Sequence, residues 1–300
     1  MVEIIIQLLI NGLSLGCAYA LITLGFVLVI NAIGAVNFAQ GDLVMAGGFL
    51  AVILAEFIVS DSSNPESGLG LIVLPLVLVS MAILGVLFSI ITYTPLRKRP
   101  PVAVFISTIA AGLVIQHGIN TSFGPEPQIG PALINSGSII VGSVTIATQQ
   151  IAIIGTTSFL VFLVGFLMKQ TQLGRKLRAA SQDPEMAESI GINGSQCIAI
   201  TFSIAIALAG AAGVLLSNQF FLTTSDGGLF MLKAYIAVTI GGWGRLDGAV
   251  IAALAIGLFE VIIATLVSYV VAEALLYTVL LLVLVFRPSG LMPEVIQRRT

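Results

Sequence analysis

The residues best able to bind a small polar solute lie in a short segment between two long apolar runs. Four polar side chains occur within positions 31–42: Asn31, Asn37, Gln40 and Asp42. Such groups are costly in lipid unless they are paired or face water. Gly34 and Gly41 permit a break in a helix, and many transporters line a substrate path with a broken helix that carries polar side chains. A polar turn at the membrane surface is the alternative, and the sequence alone leaves both open.

The single histidine of the chain, His117, follows Gln116 inside a separate apolar run. It could relay a proton or bind the same solute, so we include it among the candidate residues of the substrate pathway. The alternative is a structural histidine whose ring is hydrogen-bonded by a neighbouring helix.

The segment 171–196 is longer than a simple connection between two membrane spans requires. Within it, Asp183 is a typical N-cap, Pro184 a typical first helical residue and Gly191 a typical C-terminal stop. The pattern predicts a helix over 183–191, about two turns or about 10 Å in length.

The predicted short helix carries two apolar side chains, Met186 and Ile190, which are four residues apart and therefore share one face. A capped helix with an apolar face outside the membrane is suited to docking into a partner protein. A solvated connector that happens to be capped is the alternative, and we favour docking.

A third candidate segment, 241–248, contains four glycines together with Arg245 and Asp247. The two charged residues could pair, and the segment could act as a gate; close helix packing beside a turn is at least as good an explanation. Asp42 and Asp247 each open an apolar span that carries a glutamate further along, which hints at an internal repeat.

The chain lacks the motifs of nucleotide hydrolysis and of common enzymatic chemistry. No glycine is followed by lysine, so the phosphate-binding loop GxxxxGK[ST] is absent. No Ser/His/Asp set, paired acidic motif or metal-ligand cluster appears either. We therefore expect a protein that is not an enzyme, without catalytic residues, metal site or cofactor. If ATP powers it, the ATPase must be another polypeptide.

The composition places these candidate residues in a lipid bilayer. Of the 300 residues, 58% are hydrophobic and only 9% are charged, against about 25% charged residues in an average soluble domain. This excludes soluble enzymes, nucleic-acid-binding proteins and disulfide scaffolds. The net charge of −2 likewise gives no reason to expect a nucleic acid as partner.

Apolar windows predict an all-α, polytopic membrane protein with about eight to nine transmembrane helices in a single domain over residues 1–300. The candidate spans are 4–30, 41–60, 70–93, 102–121, 149–168, 197–217, 229–243, 248–271 and 273–286. The span 229–243 is short and rich in glycine, so a half-helix or re-entrant segment is the alternative there. Glu56, Lys233 and Glu273 lie near predicted span ends and are expected to extend to the interface.

The distribution of Lys and Arg predicts the orientation. Ten of the 12 basic residues form three clusters: Arg97, Lys98 and Arg99; Lys169, Arg175, Lys176 and Arg178; Arg287, Arg298 and Arg299. The loops 61–69, 122–148 and 218–228 contain none. Because basic residues stay on the cytoplasmic side, we expect 171–196 and the C-terminus to be cytoplasmic and 122–148 to be external. An odd number of spans places the N-terminus outside, and a re-entrant 229–243 would change that.

Four motifs spread over the chain resemble the branched-chain amino acid ABC transporter permeases, LivH-type subunit. They are GLSLGCAYAL at 12–21, VNFAQGDL at 36–43, RAASQDPEMA at 178–187 and FRPSGL at 286–291. The resemblance covers essentially the whole chain and keeps the order and spacing of the motifs. Related permeases also serve urea, short amides and other amino acids, so the resemblance is weaker on the substrate.

The resemblance implies an ABC importer permease fold that forms the translocation pathway for branched-chain or related small amino acids, driven by ATP hydrolysis in separate subunits. It implies three kinds of protein partner: a second homologous permease subunit, two cytosolic ATP-binding subunits and an external or periplasmic substrate-binding protein. It also implies a multi-pass location in a bacterial or archaeal plasma (inner) membrane.

The resemblance further implies that 183–191 is the helix that couples the permease to the ATPase. The residues assigned to coupling are Arg178, Asp183, Glu185, Met186, Ala187, Ile190 and Gly191. For the external loop 122–148, the β-branched residues around Gly142-Ser143 predict a short hairpin over 138–147 that helps to receive the binding protein.

Two other classes of function compete with this interpretation. An ion-coupled secondary transporter of a small polar solute predicts ionisable residues in mid-span, and His117 and Glu260 keep it open. A membrane-embedded enzyme or structural anchor is disfavoured because no catalytic constellation is present.

Overall fold

The structure is a computed structural model that describes residues 2–58, 68–97, 99–134, 137–141, 144–287 and 290. The helices are α1 (Val2–Ile33), α2 (Gln40–Ile58), α3 (Gly70–Phe88), α4 (Pro101–Phe123), α5 (Thr148–Gln170), α6 (Gln172–Gln182), α7 (Pro184–Ser189), α8 (Gly194–Gln219), α9 (Gly227–Gly241), α10 (Leu246–Leu266) and α11 (Tyr269–Phe286). Strands β1 (Ser138–Val141) and β2 (Val144–Ala147) form an antiparallel pair. A π-helical turn at Ser89–Tyr93 and a 3-10 turn at Thr94–Leu96 extend α3.

The prediction of an all-α, polytopic membrane protein is confirmed. Within the described ranges, eight helices are long and apolar enough to cross a bilayer, namely α1 to α5, α8, α10 and α11. The remaining predicted span, 229–243, corresponds to the shorter α9 of 15 residues, which is about 22 Å long. It is too short to cross a hydrocarbon core of about 30 Å by itself, so the half-helix alternative applies.

The structure corrects the bounds of one predicted span and the number of helices in 171–196, and it confirms the predicted hairpin. The span predicted over 248–271 is too long, because α10 ends at Leu266 and Ser268 caps the next helix by accepting a hydrogen bond from the Val271 amide (3.3 Å). The segment 171–196 contains two helices, α6 and α7, where only one was predicted. The hairpin predicted over 138–147 is present as β1 and β2, although Gly142 and Ser143 lie outside the described residues.

The helix bundle has two chemically different ends, which we name the basic end and the hairpin end. The hairpin end carries β1 and β2. Eight of the nine Lys and Arg residues in the described part of the chain lie at the opposite, basic end: Arg97, Arg99, Lys169, Arg175, Lys176, Arg178, Arg245 and Arg287. The ninth, Lys233, is in the interior. Three predicted cluster members, Lys98, Arg298 and Arg299, and the acidic residues Asp61 and Glu66 fall outside the described residues.

Helices α1 and α8 form the centre of the bundle and run antiparallel. Ser14 of α1 reaches Gln219 at the hairpin end of α8, while Gly25 lies against Ala205 nearer its basic end. Each central helix also has a second close partner. Gly16 of α1 touches the backbone of α10 at Gly257, and α8 touches α3 in the same way through Gly85. Small residues allow such backbone contact between membrane helices.

The two halves of the chain repeat one arrangement in opposite directions. In the first half, α1 is followed by an extended segment, the helix α2 and then α3 and α4. In the second half, α8 is followed by an extended segment, the short α9 and then α10 and α11. Because α1 packs against α10 and α8 packs against α3, the halves interlock. The repeat therefore pairs α2 with α9, whereas the sequence hint paired α2 with α10.

Candidate functional site

Helix α2 begins in the interior of the bundle. After α1 ends at Ile33, Gly34 adopts a φ of +65° and the chain turns back towards the hairpin end. Gln40, the first residue of α2, donates from Nε2 to the carbonyl oxygen of Ala205 (3.4 Å). Ala205 is the twelfth residue of the 26-residue α8. The start of α2 is therefore close to the middle of a spanning helix.

Helix α9 begins at the same depth from the opposite direction. The chain leaving α8 passes Leu222, which exchanges backbone hydrogen bonds with Gln128 (2.9 and 3.0 Å), and then enters the bundle. The backbone of Gly227, the first residue of α9, packs against Gly41 and Asp42. The first turns of α2 and α9 thus meet near mid-depth; we call this contact the half-helix junction.

Two predicted pathway residues hold the start of α2 in place. Asn37 is 1% exposed; its Oδ1 accepts from the Ala39 amide (3.2 Å) and its Nδ2 donates to Gln40 Oε1 (3.3 Å). Gln40 is fully buried and reaches Ala205 as described. Each side chain therefore satisfies backbone or neighbouring groups that would otherwise be unpaired away from water.

Asp42 has the position best suited to contact a solute. Its carboxylate lies between Gly112 of α4 and Gly227 of α9, and a side chain at either glycine would collide with it. Gly112 is the twelfth of 23 residues in α4, which again indicates mid-depth. Among the described residues, no hydrogen bond or ion pair to the Asp42 carboxylate is present, and the residue is partly exposed. A carboxylate in the first turn of α2 also interacts favourably with the helix dipole.

The structure does not bring the other two predicted pathway residues to the half-helix junction. Asn31 lies near the basic end of α1, where its Nδ2 donates to the carbonyl oxygen of Gly244 (2.9 Å). His117 is on an exposed face of α4. It lies five residues beyond Gly112, and this spacing places the two residues on different sides of the helix. Asn37, Gln40 and Asp42 are the three that come together.

A buried charged cluster lies elsewhere in the second half of the bundle. Lys233 of α9 is 4% exposed and its Nζ donates to Glu260 Oε1 (2.7 Å), Tyr19 Oη (2.8 Å) and Tyr269 Oη (3.1 Å). Tyr19 in turn donates to the second oxygen of Glu260 (3.1 Å). Four helices, α1, α9, α10 and α11, therefore share one network, which we call the Lys233 cluster.

The expectation that Lys233 extends to the membrane interface is wrong, because Lys233 pairs with Glu260 in the interior. The spacing of 27 residues between these two gives no local pattern, which is why sequence reasoning missed the pair. The sequence did contain one signal: a lysine or a glutamate inside an apolar run is costly in lipid, and this cost implies a partner.

The predicted pairing of Arg245 with Asp247 is wrong, because Asp247 pairs with Lys169 of α5 (3.3 Å).

The short helix predicted over 183–191 is present as α7, with its caps as expected. Asp183 Oδ1 accepts from the Met186 amide (2.9 Å), and Gly191 adopts a φ of +84°. Ala187 is buried, whereas Met186 and Ile190 are 60% and 68% exposed. The apolar face of α7 is thus directed away from the protein, at the basic end.

Helix α6 connects α7 to the bundle. Thr171 caps its first turn, and the Arg178 guanidinium donates to the Met168 carbonyl in the last turn of α5. A cation at a helix C-terminus is favourable for the dipole as well as for the unpaired carbonyl. Arg178 is therefore engaged within the chain, and it links α6 to the end of α5.

A groove of about 360 Å³ lies beside α7, between α6 and the start of α8. Leu173 and Lys176 line one wall, Ile192 and Gln196 the other, and Cys197 is in the lining as well. Together with the exposed face of α7, the groove forms a recessed surface at the basic end that combines apolar and basic groups.

Comparison with known proteins gives a consistent result over the whole chain. Residues 8–286 match the family described as "Branched-chain amino acid transport system / permease component". The chain is 31% identical over 298 residues to the high-affinity branched-chain amino acid transport system permease protein BraD of Pseudomonas aeruginosa, covering 97% of each protein. It is similarly 31% identical over 302 residues to the corresponding permease protein LivH of Escherichia coli K12, covering 97% of this chain and 96% of the relative.

A more distant relative is archaeal. The probable branched-chain amino acid transport permease protein LivH of Methanocaldococcus jannaschii is 26% identical over 263 residues, which are 85% of this chain and 78% of the relative. No solved structure matches this chain. The similarity extends through both halves of the bundle, the half-helix junction and α7.

Proposed function

Because this chain belongs to the family of branched-chain amino acid transport permeases, we propose that it is the membrane-spanning subunit of an ATP-driven importer. Branched-chain or related small amino acids pass beside the half-helix junction. ATP is hydrolysed in two separate cytosolic subunits. A second, homologous permease subunit completes the pathway, and an external or periplasmic binding protein delivers the substrate.

The position of Asp42 carries the proposal for the substrate path. Its carboxylate is partly exposed near mid-depth, beside the first turns of two helices that begin inside the bundle. A substrate with an ammonium group and a carboxylate finds complementary charges there, because Asp42 is negative and the start of α9 is a positive helix end. Asn37 and Gln40 hold the start of α2 so that this geometry persists.

The proposed path is tested by uptake of radiolabelled leucine in proteoliposomes that contain the complete transporter. We expect Asp42→Asn to lower uptake at least tenfold, since the ammonium group loses its countercharge. Asp247→Asn is the matched control: its carboxylate is exposed, pairs with Lys169 at the basic end and does not contact the junction. We expect that control to stay within about twofold of wild type. Equal uptake by the two variants would contradict the proposed path.

Coupling to the ATPase is assigned to α7 and its neighbours. The exposed Met186 and Ile190 dock into a cytosolic ATP-binding subunit, with Glu185 and the adjoining groove at the edge of the contact. Asp183, Ala187 and Gly191 maintain the shape of α7. Arg178 joins α6 to the end of α5, so a displacement of α7 reaches α5 and, through it, α1.

Two alanine substitutions three residues apart test this coupling. Gly191→Ala places a side chain at a φ of +84°, which costs about 1–2 kcal/mol, whereas Gly194 has no such φ and meets only Glu188 at 3.5 Å. We expect Gly191→Ala to reduce co-purification of the ATP-binding subunits and leucine uptake together, and Gly194→Ala to reduce neither. Normal binding of the ATPase with impaired uptake would remove α7 from the coupling role.

We further propose that the basic end faces the cytoplasm of a bacterium or archaeon, with the C-terminus on that side. The support is the segregation of Lys and Arg to one end of the bundle. A variant without Cys17 and Cys197 that carries either Thr145→Cys or Ser189→Cys tests the orientation. An impermeant thiol reagent added outside should modify position 145 alone, and the reverse pattern would invert the topology.

An ion-coupled secondary transporter remains the second candidate, because Lys233 and Glu260 are ionisable and buried within a spanning bundle. It predicts leucine uptake driven by a proton or sodium gradient in proteoliposomes that lack the ATP-binding subunits. The lead proposal predicts no uptake without ATP and those subunits.

A further inference from the structure

The Lys233 cluster is distinct from the half-helix junction and from α7. Lys233 and Glu260 are both buried, at 4% and 3% exposure, and their partners Tyr19 and Tyr269 come from α1 and α11. A buried ion pair often adds little stability over apolar residues of similar volume, because desolvation offsets the attraction. The cluster therefore calls for an explanation other than stability.

The packing of α9 against α10 indicates another role for the Lys233 cluster, namely to position α9. Gly241 of α9 lies directly against the backbone of Gly248 and Ala249 of α10. Further along the same two helices the buried residues are both small and large and include Ala234, Ala237, Ala252 and Ala253 beside Ile236, Val238 and Ile256. Small residues allow the two backbones to approach closely, and a polar residue placed among apolar ones can specify the register of packed helices.

The ends of α9 are held through contacts of the adjoining segments: Leu222 pairs with Gln128 before the helix, and Asn31 donates to the Gly244 carbonyl after it. Asp226 precedes its first turn but makes no side-chain cap there. Gly242 and Gly244, which follow its last turn, have φ values of +103° and +87°. Among the described residues, the bonds of Lys233 are the only side-chain hydrogen bonds between α9 and another helix. The Lys233 cluster therefore ties the body of α9 to its neighbours.

We propose that the Lys233–Glu260 pair sets the axial register of α9 and so holds the first turn of α9 against Gly41 and Asp42. Three short hydrogen bonds from one ammonium group exist in a single register, and a slip of α9 by one turn would break them all. A polar residue that fixes the register of apolar helices is the best-attested role of buried polar groups. Lys233 acts here as a positioning residue, and its consequence for transport rests on the function proposed above.

The test compares three variants in the cysteine-free chain. Lys233→Met combined with Glu260→Met removes both charges but keeps side-chain volume. Lys233→Met alone leaves a buried carboxylate without its countercharge, with Tyr19 as its hydrogen-bond donor. Tyr269→Phe is the mild control, since it deletes the half-exposed hydroxyl and leaves Lys233 with Glu260 and Tyr19.

The register is read directly from spin labels at Ser225→Cys, just before α9, and Thr265→Cys, near the end of α10. Both native side chains are exposed. In the double methionine variant we expect the melting temperature to stay near or above that of wild type. The label-to-label distance distribution should broaden or shift by up to one helical turn, about 5 Å. Leucine uptake by the complete transporter should fall at least tenfold, whereas Tyr269→Phe should keep the wild-type distance and uptake.

Two results would overturn the register role: an unchanged distance distribution in the double variant, or loss of folded protein as severe as in the single variant. A shifted distance with wild-type uptake would overturn its link to transport. If the wild-type transporter itself shows no ATP-dependent uptake, the proposed function fails, and the distances still decide the register role.

Discussion

The two halves of the bundle use different means to place the corresponding helices α2 and α9, which both begin in mid-bundle. In the first half, α2 is fixed by backbone contact with α8, where Gly47 meets Gly210 and Gly48 meets Gly213, and by the neutral hydrogen bonds of Gln40. In the second half, α9 is fixed by the buried ion pair of Lys233 and Glu260. One fold can thus locate a half-helix by shape or by charge, and the two solutions should respond differently to substitution.

The largest effect should come from breaking the ion pair. Glu260→Leu leaves the Lys233 ammonium buried with two phenol oxygens as its remaining partners, and removal of one partner from a buried pair costs about 3–5 kcal/mol. We expect a large drop in the melting temperature of the purified protein and reduced yield. Glu56→Leu, which removes an exposed glutamate of α2, is the matched control and should have little effect. A comparable drop in melting temperature in both variants would show that the Lys233–Glu260 pair is no more important for stability than an exposed glutamate.

The next effect should come from the half-helix junction, where the backbones of α2 and α9 are in direct contact. Gly41→Ala drives a methyl group into the backbone of Gly227, which we expect to destabilise the protein by about 1–3 kcal/mol. Gly228→Ala lies in the same contact region of α9 but meets nothing within 4 Å. It should be neutral or slightly stabilising, since alanine favours helix over glycine. Thermal unfolding of the two variants measures the difference, and equal stability would show that the helices are not in contact there.

A smaller effect is expected for the polar tie of the first half. Gln40→Leu removes a neutral hydrogen bond to the Ala205 carbonyl and leaves the Asn37 amide without its partner, at a cost of about 1–2 kcal/mol. Thermal unfolding of Gln40→Leu and Glu260→Leu, measured side by side, would show whether loss of the buried ion pair lowers the melting temperature more than loss of the neutral hydrogen bonds. The comparison between the halves breaks down if Gln40→Leu is the more damaging change.

The smallest effect should come from the exposed pair that joins α5 to α10. Lys169 and Asp247 are more than 60% exposed, and such pairs contribute about 0–1 kcal/mol and are screened by salt. Lys169→Ala should leave the melting temperature nearly unchanged at high and low ionic strength. A large, salt-sensitive loss would show that the basic end is held by charge as strongly as α9 is.

Much of the fold followed from local sequence. Apolar runs of sufficient length identify spanning helices, since each helix satisfies its own backbone in lipid. The caps Asp183 and Gly191 defined α7, because capping depends on neighbours within a few residues. The family was likewise evident from motifs spread over the chain and is borne out by the comparisons.

The tertiary structure alone decided depth and pairing. Local sequence offered a broken helix near Gln40 and a half-helix at 229–243 only as alternatives. The depth at which α2 and α9 begin depends on contact with Ala205 and Asp42 from remote segments. Lys233 likewise contacts Glu260 and Tyr19 in the interior, and not the membrane interface, because remote helices bring these partners to it. Sequence patterns record which side chains are costly in lipid, whereas the identity of the partner that removes the cost is set by packing between helices that are distant along the chain.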